Sequence, residues 1–196
     1  MHSTQARLLG IPVLTFLFGA ATLGAQTPVV TIRYYNHADI PAAELESAER
    51  EAANIFALAG IGLVWVDCGI SPDEADKIAA CDRVVDRKGA TLKLIPESMA
   101  AGLPRPKEQF AISVPSMIFV FWQRVHEAAV KANLPEGQLL GDILAHELGH
   151  EVLGESSHSK SGIMKARLEP EDFALAERGL LRFSTAQAEQ MRASLQ

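Results

Sequence analysis

The chain has 196 residues, 24 acidic against 18 basic for a net charge of −6, and 48% hydrophobic content. That much apolar material in that length supports one good core and one catalytic-sized domain. With no basic tract and no interleaving of basic and aromatic residues, nucleic acid is excluded as a partner.

The first 25 residues read as an export signal. His2 and Arg7 precede an apolar run over 8–23, broken by Pro12 and Gly19, and Gly24-Ala25 supplies small residues before Gln26. Cleavage is expected after Ala25, with a cut nearer Ala21 as the alternative because Leu23 fits poorly at the third position back. The run falls short of the roughly 20 apolar residues of a spanning helix. No stable membrane insertion is therefore expected after cleavage, a retained N-terminal anchor being the competing reading. Residues 26–196 would then form the mature domain, secreted or periplasmic. In an oxidising compartment Cys68 and Cys81, the only two cysteines, are expected to pair, which by the chain-entropy account contributes about 3 kcal/mol.

In chain order, residues 29–35 are rich in β-branched and aromatic side chains and predict a strand. Asn36–Asp39 is a turn, Pro41 suits the first turn of a helix, and 42–58 follow with Leu45, Ala48, Ala52, Ile55, Phe56 and Ala59 on one face. Gly60 ends that helix, and 61–66 is a second strand; strand–helix–strand implies parallel pairing. A third strand covers 90–95. Residues 96–115, interrupted by Gly102, Pro104 and Pro106, read as a long irregular loop that lines a cleft, covers it, or does neither. Residues 117–121 predict a fourth strand and 122–133 a helix with Val125, Ala128, Ala129 and Ala132 on its apolar side. A short helix through Glu177 and a last one capped by Ser184, with Gln187 completing a capping box, close the chain.

Between them lies the stretch that carries chemistry. Pro135-Glu136 opens a helix in which Leu139, Leu140, Ile143, Leu144, Leu148 and Val152 form an apolar stripe. The same helix holds His146-Glu147-Leu148-Gly149-His150, the H-E-x-x-H spacing that puts two imidazoles one turn apart on one face. Both can reach a single zinc ion, and Glu147 beside them is the general base in this motif. A catalytic zinc usually has three protein ligands. Gly154 is suited to end the helix and turn the chain back, presenting His158; Ser161-Gly162-Ile163-Met164 then reads as a second tight turn ending in a buried methionine. Asp142, one turn before His146, either orients a ligand or offsets the helix macrodipole, the plainer reading. His37 and His126 stand outside the set and read as incidental.

This ordered set resembles the metzincin clan of zinc peptidases, with pattern H-E-x-x-H-x-x-G-x-x-H and a Met-turn below the metal. Here three residues, rather than two, separate His150 from Gly154 and Gly154 from His158, giving a wider return loop. More closely, the segment is similar to a group of predicted secreted bacterial metzincin-like proteins with HExxH-x-L-L-G-x-x-S-H-S-x-x-G-I-M. That likeness extends to Ala59-Gly60-Ile61, Val120-Phe121-Trp122 and Arg178-Gly179. The resemblance implies an α+β fold: a small twisted mixed sheet packed with helices, a zinc-site helix and a Met-turn at Met164. Some metzincins follow the methionine with a tyrosine that stabilises the oxyanion. The only tyrosines here are Tyr34 and Tyr35, and Lys165 and Arg167 are the cations near the turn.

The expectation is therefore a secreted endopeptidase with one Zn2+ per chain on His146, His150 and His158, Glu147 as base, and a peptide or protein substrate lying extended along an edge strand. Two rivals stay open. In one, a carboxylate (Glu169, Glu171 or Glu177) is the third ligand. In the other, the chain is an exported zinc-containing binding module without peptidase activity.

Overall fold

Along β1 (Val29–Asn36), Val30 and Ile32 alternate with Thr31 and Arg33, and the first pair enters the main core. The structure is a computed structural model that describes residues 27–69, 81, 89–101, 103, 109–114 and 117–196. The signal segment 1–25 lies outside them, as do Gly102, Pro104 and Pro106. Four more strands, β2 (Gly62–Asp67), β3 (Gly89–Ile95), β4 (Ala111–Val114) and β5 (Met117–Phe121), complete a sheet of order β2-β1-β3-β5-β4. Its first three pairings are parallel and β4 runs antiparallel to β5. The helices are α1 (Ala42–Leu58), α2 (Trp122–Ala132), α3 (Glu136–Leu153), α4 (Pro170–Glu177) and α5 (Thr185–Ser194). This is the mixed-sheet α+β class expected.

One expectation is corrected. The stretch 96–115 contains a 3-10 turn (Glu97–Ala100) and the strand β4, where a long irregular loop was expected. Four residues are too few for alternation to announce a strand, and β4 exists because β5 offers it a partner. Pairing sets the orientation of its side chains. Ala111 opposite Val120 shares the main core, while Ile112 opposite Phe119 packs with Ile95, Ala100 and Phe121 in a smaller cluster. Ser113, two residues from Ala111, therefore points to the face that carries the helices.

Helix α3 is seated on α1 through two glycines. A Cβ on Gly141 would lie 2.5 Å from the Glu51 Cβ and 2.8 Å from the Ala48 carbonyl oxygen; one on Gly137 would lie 2.7 Å from the Glu44 carbonyl oxygen. Without those atoms the helices approach closely, and the Glu44 carboxylate accepts a 2.7 Å hydrogen bond from the Gly137 N–H at the start of α3, where a negative charge is favoured. Leu139, Leu140, Leu144 and Leu148 enter the main core.

The C-terminal part is tied back to this frame. Phe183 meets Phe56 edge-on at 5.2 Å. The α5 capping box is present, with the Gln187 N–H donating to Ser184 Oγ at 3.2 Å and the Ser184 N–H to Gln187 Oε1 at 2.9 Å. Arg192 donates to the Ala59 carbonyl at the end of α1. Cys68, just beyond β2, is disulfide-bonded to Cys81. No helix among the described residues is long and apolar enough to cross a membrane.

Helix propensity alone would favour alanine over glycine by about 1 kcal/mol. The close seam reverses that sign: Gly141→Ala is expected to destabilise the protein by about 1–3 kcal/mol in urea unfolding. A variant more stable than wild type would show that α1 does not hold α3 at this spacing.

Candidate metal centre

On α3, His146 and His150 stand one turn apart and turn their Nε2 atoms toward each other at 3.0 Å; His158, from the returning loop, brings its Nε2 to 3.1 Å from that of His150. These residues form a group of nitrogen donors compact enough to share one ion. Ligands about 2.05 Å from a tetrahedral zinc lie about 3.4 Å apart, so the two separations from His150 are within a few tenths of an ångström of what the ion asks. The protonation states agree. Burial pushes His146 down to about 4 against the pull of the Ile163 carbonyl, with His150 and His158 lowering it further, and burial also lowers His150. Neutral imidazoles are the form that binds metal.

Backbone and hydroxyl groups decide which ring nitrogen faces the cluster. His146 Nδ1–H donates to the Ile163 carbonyl at 2.7 Å, leaving Nε2 with its lone pair inward. His150 Nδ1 lies 3.0 Å from Ser157 Oγ and 3.4 Å from the Gly154 carbonyl oxygen. The wider return loop thus places a serine against the second histidine as well as delivering the third. Gly154 makes the turn at φ +95° with open space around it, so its backbone conformation, rather than crowding, calls for glycine.

The 162–164 turn is pinned from three directions. A Cβ on Gly162 would lie 2.6 Å from the Arg182 carbonyl oxygen, and the Ile163 N–H donates to that same oxygen at 3.0 Å. Met164 is fully buried, and its sulfur would lie 2.5 Å from a Cβ on Gly149, the fourth residue of the H-E-x-x-H run. The Ser159 N–H donates to the Met164 carbonyl at 2.8 Å and closes the loop carrying His158.

A cleft of about 650 Å³ opens beside the histidines, between α3, the 163–168 stretch and β4. Glu147 lines it. Burial pushes its carboxyl up to about 7, the neighbouring Glu151 adds to the rise, and hydrogen bonding from Ser113 opposes it. The Ser113 hydroxyl also reaches Glu151 Oε1 at a long 3.4 Å. Sequence reasoning missed Ser113, Ser157 and the Ile163 carbonyl; only the G-I-M turn signalled the last.

Among the carboxylates raised as third ligands, Glu169 is held by Lys165 at 2.6 Å, and Glu171 and Glu177 are exposed on α4, outside the donor group. Lys165 is further fixed by Asp172 at 2.7 Å. His37 stacks on Tyr35, and His126 contacts Glu136 at 2.8 Å, both away from the cluster. The plainer reading of Asp142 fails. Glu136 is the acid in the first turn of α3, whereas Asp142 lies deeper in the helix at 1% exposure, and neither carboxyl oxygen has a hydrogen-bond partner. Burial first, then Glu51, push its carboxyl from 3.8 up to about 8.

No family model matches the chain, and no curated protein matches it by sequence. Among solved structures, the fold is similar to that of a zinc-dependent peptidase from Methanocorpusculum labreanum (strain Z), at 16% identity and a TM-score of 0.52, covering 82% of this chain and 99% of that one.

The Asp142 shift has a thermodynamic sign. Between the unfolded value of 3.8 and the folded value of about 8, the folded chain binds more protons, so stability falls as pH rises across that window. In metal-free protein, Asp142→Asn is expected to raise Tm, by more at pH 8 than at pH 5, with a gain on the order of a few kcal/mol at the upper end. Scanning fluorimetry at both pH values checks this; an equal or negative change at pH 8 counts against it.

Proposed function

We propose that the chain is a secreted, metzincin-like zinc endopeptidase, exported by residues 1–25 and holding one zinc ion on His146, His150 and His158. The observation that carries this reading is the cluster of three imidazoles beside the Glu147 carboxyl, with the Nε2 atoms of His146 and His158 at 3.0 and 3.1 Å from that of His150, in a cleft bordered by a sheet edge. The similarly folded Methanocorpusculum labreanum protein carries the name of a zinc-dependent peptidase, which supports the same reading. Zinc bound there would supply Lewis acidity, polarising a carbonyl and bringing the pKa of water toward neutrality.

The remaining work falls to the chain's own residues. Among the described residues no strand pairs with the outer edge of β4, so an extended peptide docks there through main-chain hydrogen bonds. Glu147 takes the proton of the attacking water and returns it to the leaving amine. The Ser113 hydroxyl hydrogen-bonds that carboxylate and holds it in place. Met164, under Gly149, keeps the 162–164 turn against α3, and with it the Ile163 carbonyl that orients His146.

Metal analysis by mass spectrometry on purified protein is expected to give one zinc per chain, lost in His158→Ala. Retention of zinc by that variant would move the third ligand to a carboxylate, and absence of metal even after zinc is supplied would leave a binding module. With zinc bound, Glu147→Gln is expected to keep the metal and lower kcat by about 10²–10⁴-fold on any cleaved peptide. Unchanged turnover would remove Glu147 from the reaction.

A further inference from the structure

A buried carboxyl group that no protein donor satisfies needs a reason, and Asp142 is such a group: 1% exposed, with both oxygens unpartnered. It lies four residues before His146, about 6 Å along the helix axis, and lines the same cleft. Ile143, Ile163 and Leu168 are among the apolar side chains that line this cleft. The charge that acts on the Asp142 carboxyl is that of another acid, Glu51 on α1. Lys165, the lysine on the cleft wall, is already bound by Glu169 and Asp172. A buried carboxyl group without donors at the wall of a cleft is ionised and satisfied when a long aliphatic stem brings it a cationic head.

We infer that Asp142 is the floor of a specificity pocket that receives the lysine or arginine side chain of a substrate residue flanking the scissile bond. This rests on the peptidase reading and names its substrate class. Neither Asp142 oxygen is open to bulk water, so the entering side chain displaces the groups that cover it. Its ammonium or guanidinium then supplies the hydrogen bonds that the empty pocket lacks. A neutral side chain of the same length fills the walls and leaves the carboxyl unsatisfied, and that difference is the source of discrimination. Asp142 is a specificity residue here, with no part in proton transfer.

The test uses the full chain as Glu147→Gln loaded with zinc, so that binding is measured without turnover. Capped alanine-based hexapeptides carry one variable residue: lysine, arginine, norleucine or glutamate. Lysine and arginine peptides are expected to bind about tenfold or more tightly than norleucine, and adding Asp142→Asn is expected to bring the ratio close to one while zinc content is unchanged. Equal binding of lysine and norleucine peptides, a preference that survives Asp142→Asn, or no measurable binding of any peptide overturns the pocket. The wild-type chain with zinc is assayed on the same peptides in parallel. Discrimination in binding with no hydrolysis would sink the peptidase reading and uphold the pocket. Hydrolysis without basic preference would do the reverse.

Discussion

The candidate site depends on how closely helix α3 lets the following chain approach. At Gly149 there is no Cβ, and the Met164 sulfur occupies the place where one would crowd it. That contact, with the Arg182 carbonyl holding the Ile163 N–H, fixes where the Ile163 carbonyl points. The carbonyl in turn selects the tautomer of His146. A core contact, a backbone hydrogen bond and a ring orientation are thus one linked constraint. Loosening the first rotates a donor in the last.

The same helix meets opposite demands along its length. Toward α1 it is pressed close through Gly137 and Gly141, and it buries four leucines in the main core, which makes it rigid. Toward the cleft it presents two half-buried histidines, a glutamate at its usual charge only above neutral pH, and an aspartate kept neutral by burial. Core packing offsets what those polar groups cost. An acid such as Asp142 in a helix this well packed is a destabilising element that the rest of the fold tolerates.

Much of this was legible from residue order. Periodicity located α1 and α3, whose patterns repeat over several turns, while runs of β-branched and aromatic residues between turn signals located four of the five strands. Gly154, Gly162 and the Ser184–Gln187 pair were legible because turn and cap chemistry is local. Strand β4 was not, since four residues next to prolines carry no period and its existence depends on β5. Ser157 and the Ile163 carbonyl were not, because a backbone oxygen has no sequence signature and a serine in a polar loop looks like any other. Asp142 was misread for a different reason. Its position in the helix can be counted, but whether that position faces water is decided by how the rest of the chain packs around the helix, which residue order does not display.

The shortness of β4 has a consequence for time as well as for shape. A four-residue edge offers an extended partner only about two pairs of backbone hydrogen bonds, and those bonds are blind to side-chain identity. Such an encounter is brief, and the partner leaves easily on either side of any reaction. The same shortness leaves little edge on which a second sheet could grow. Selectivity, on this frame, has to be imposed within a short dwell by the few side chains that reach the cleft walls.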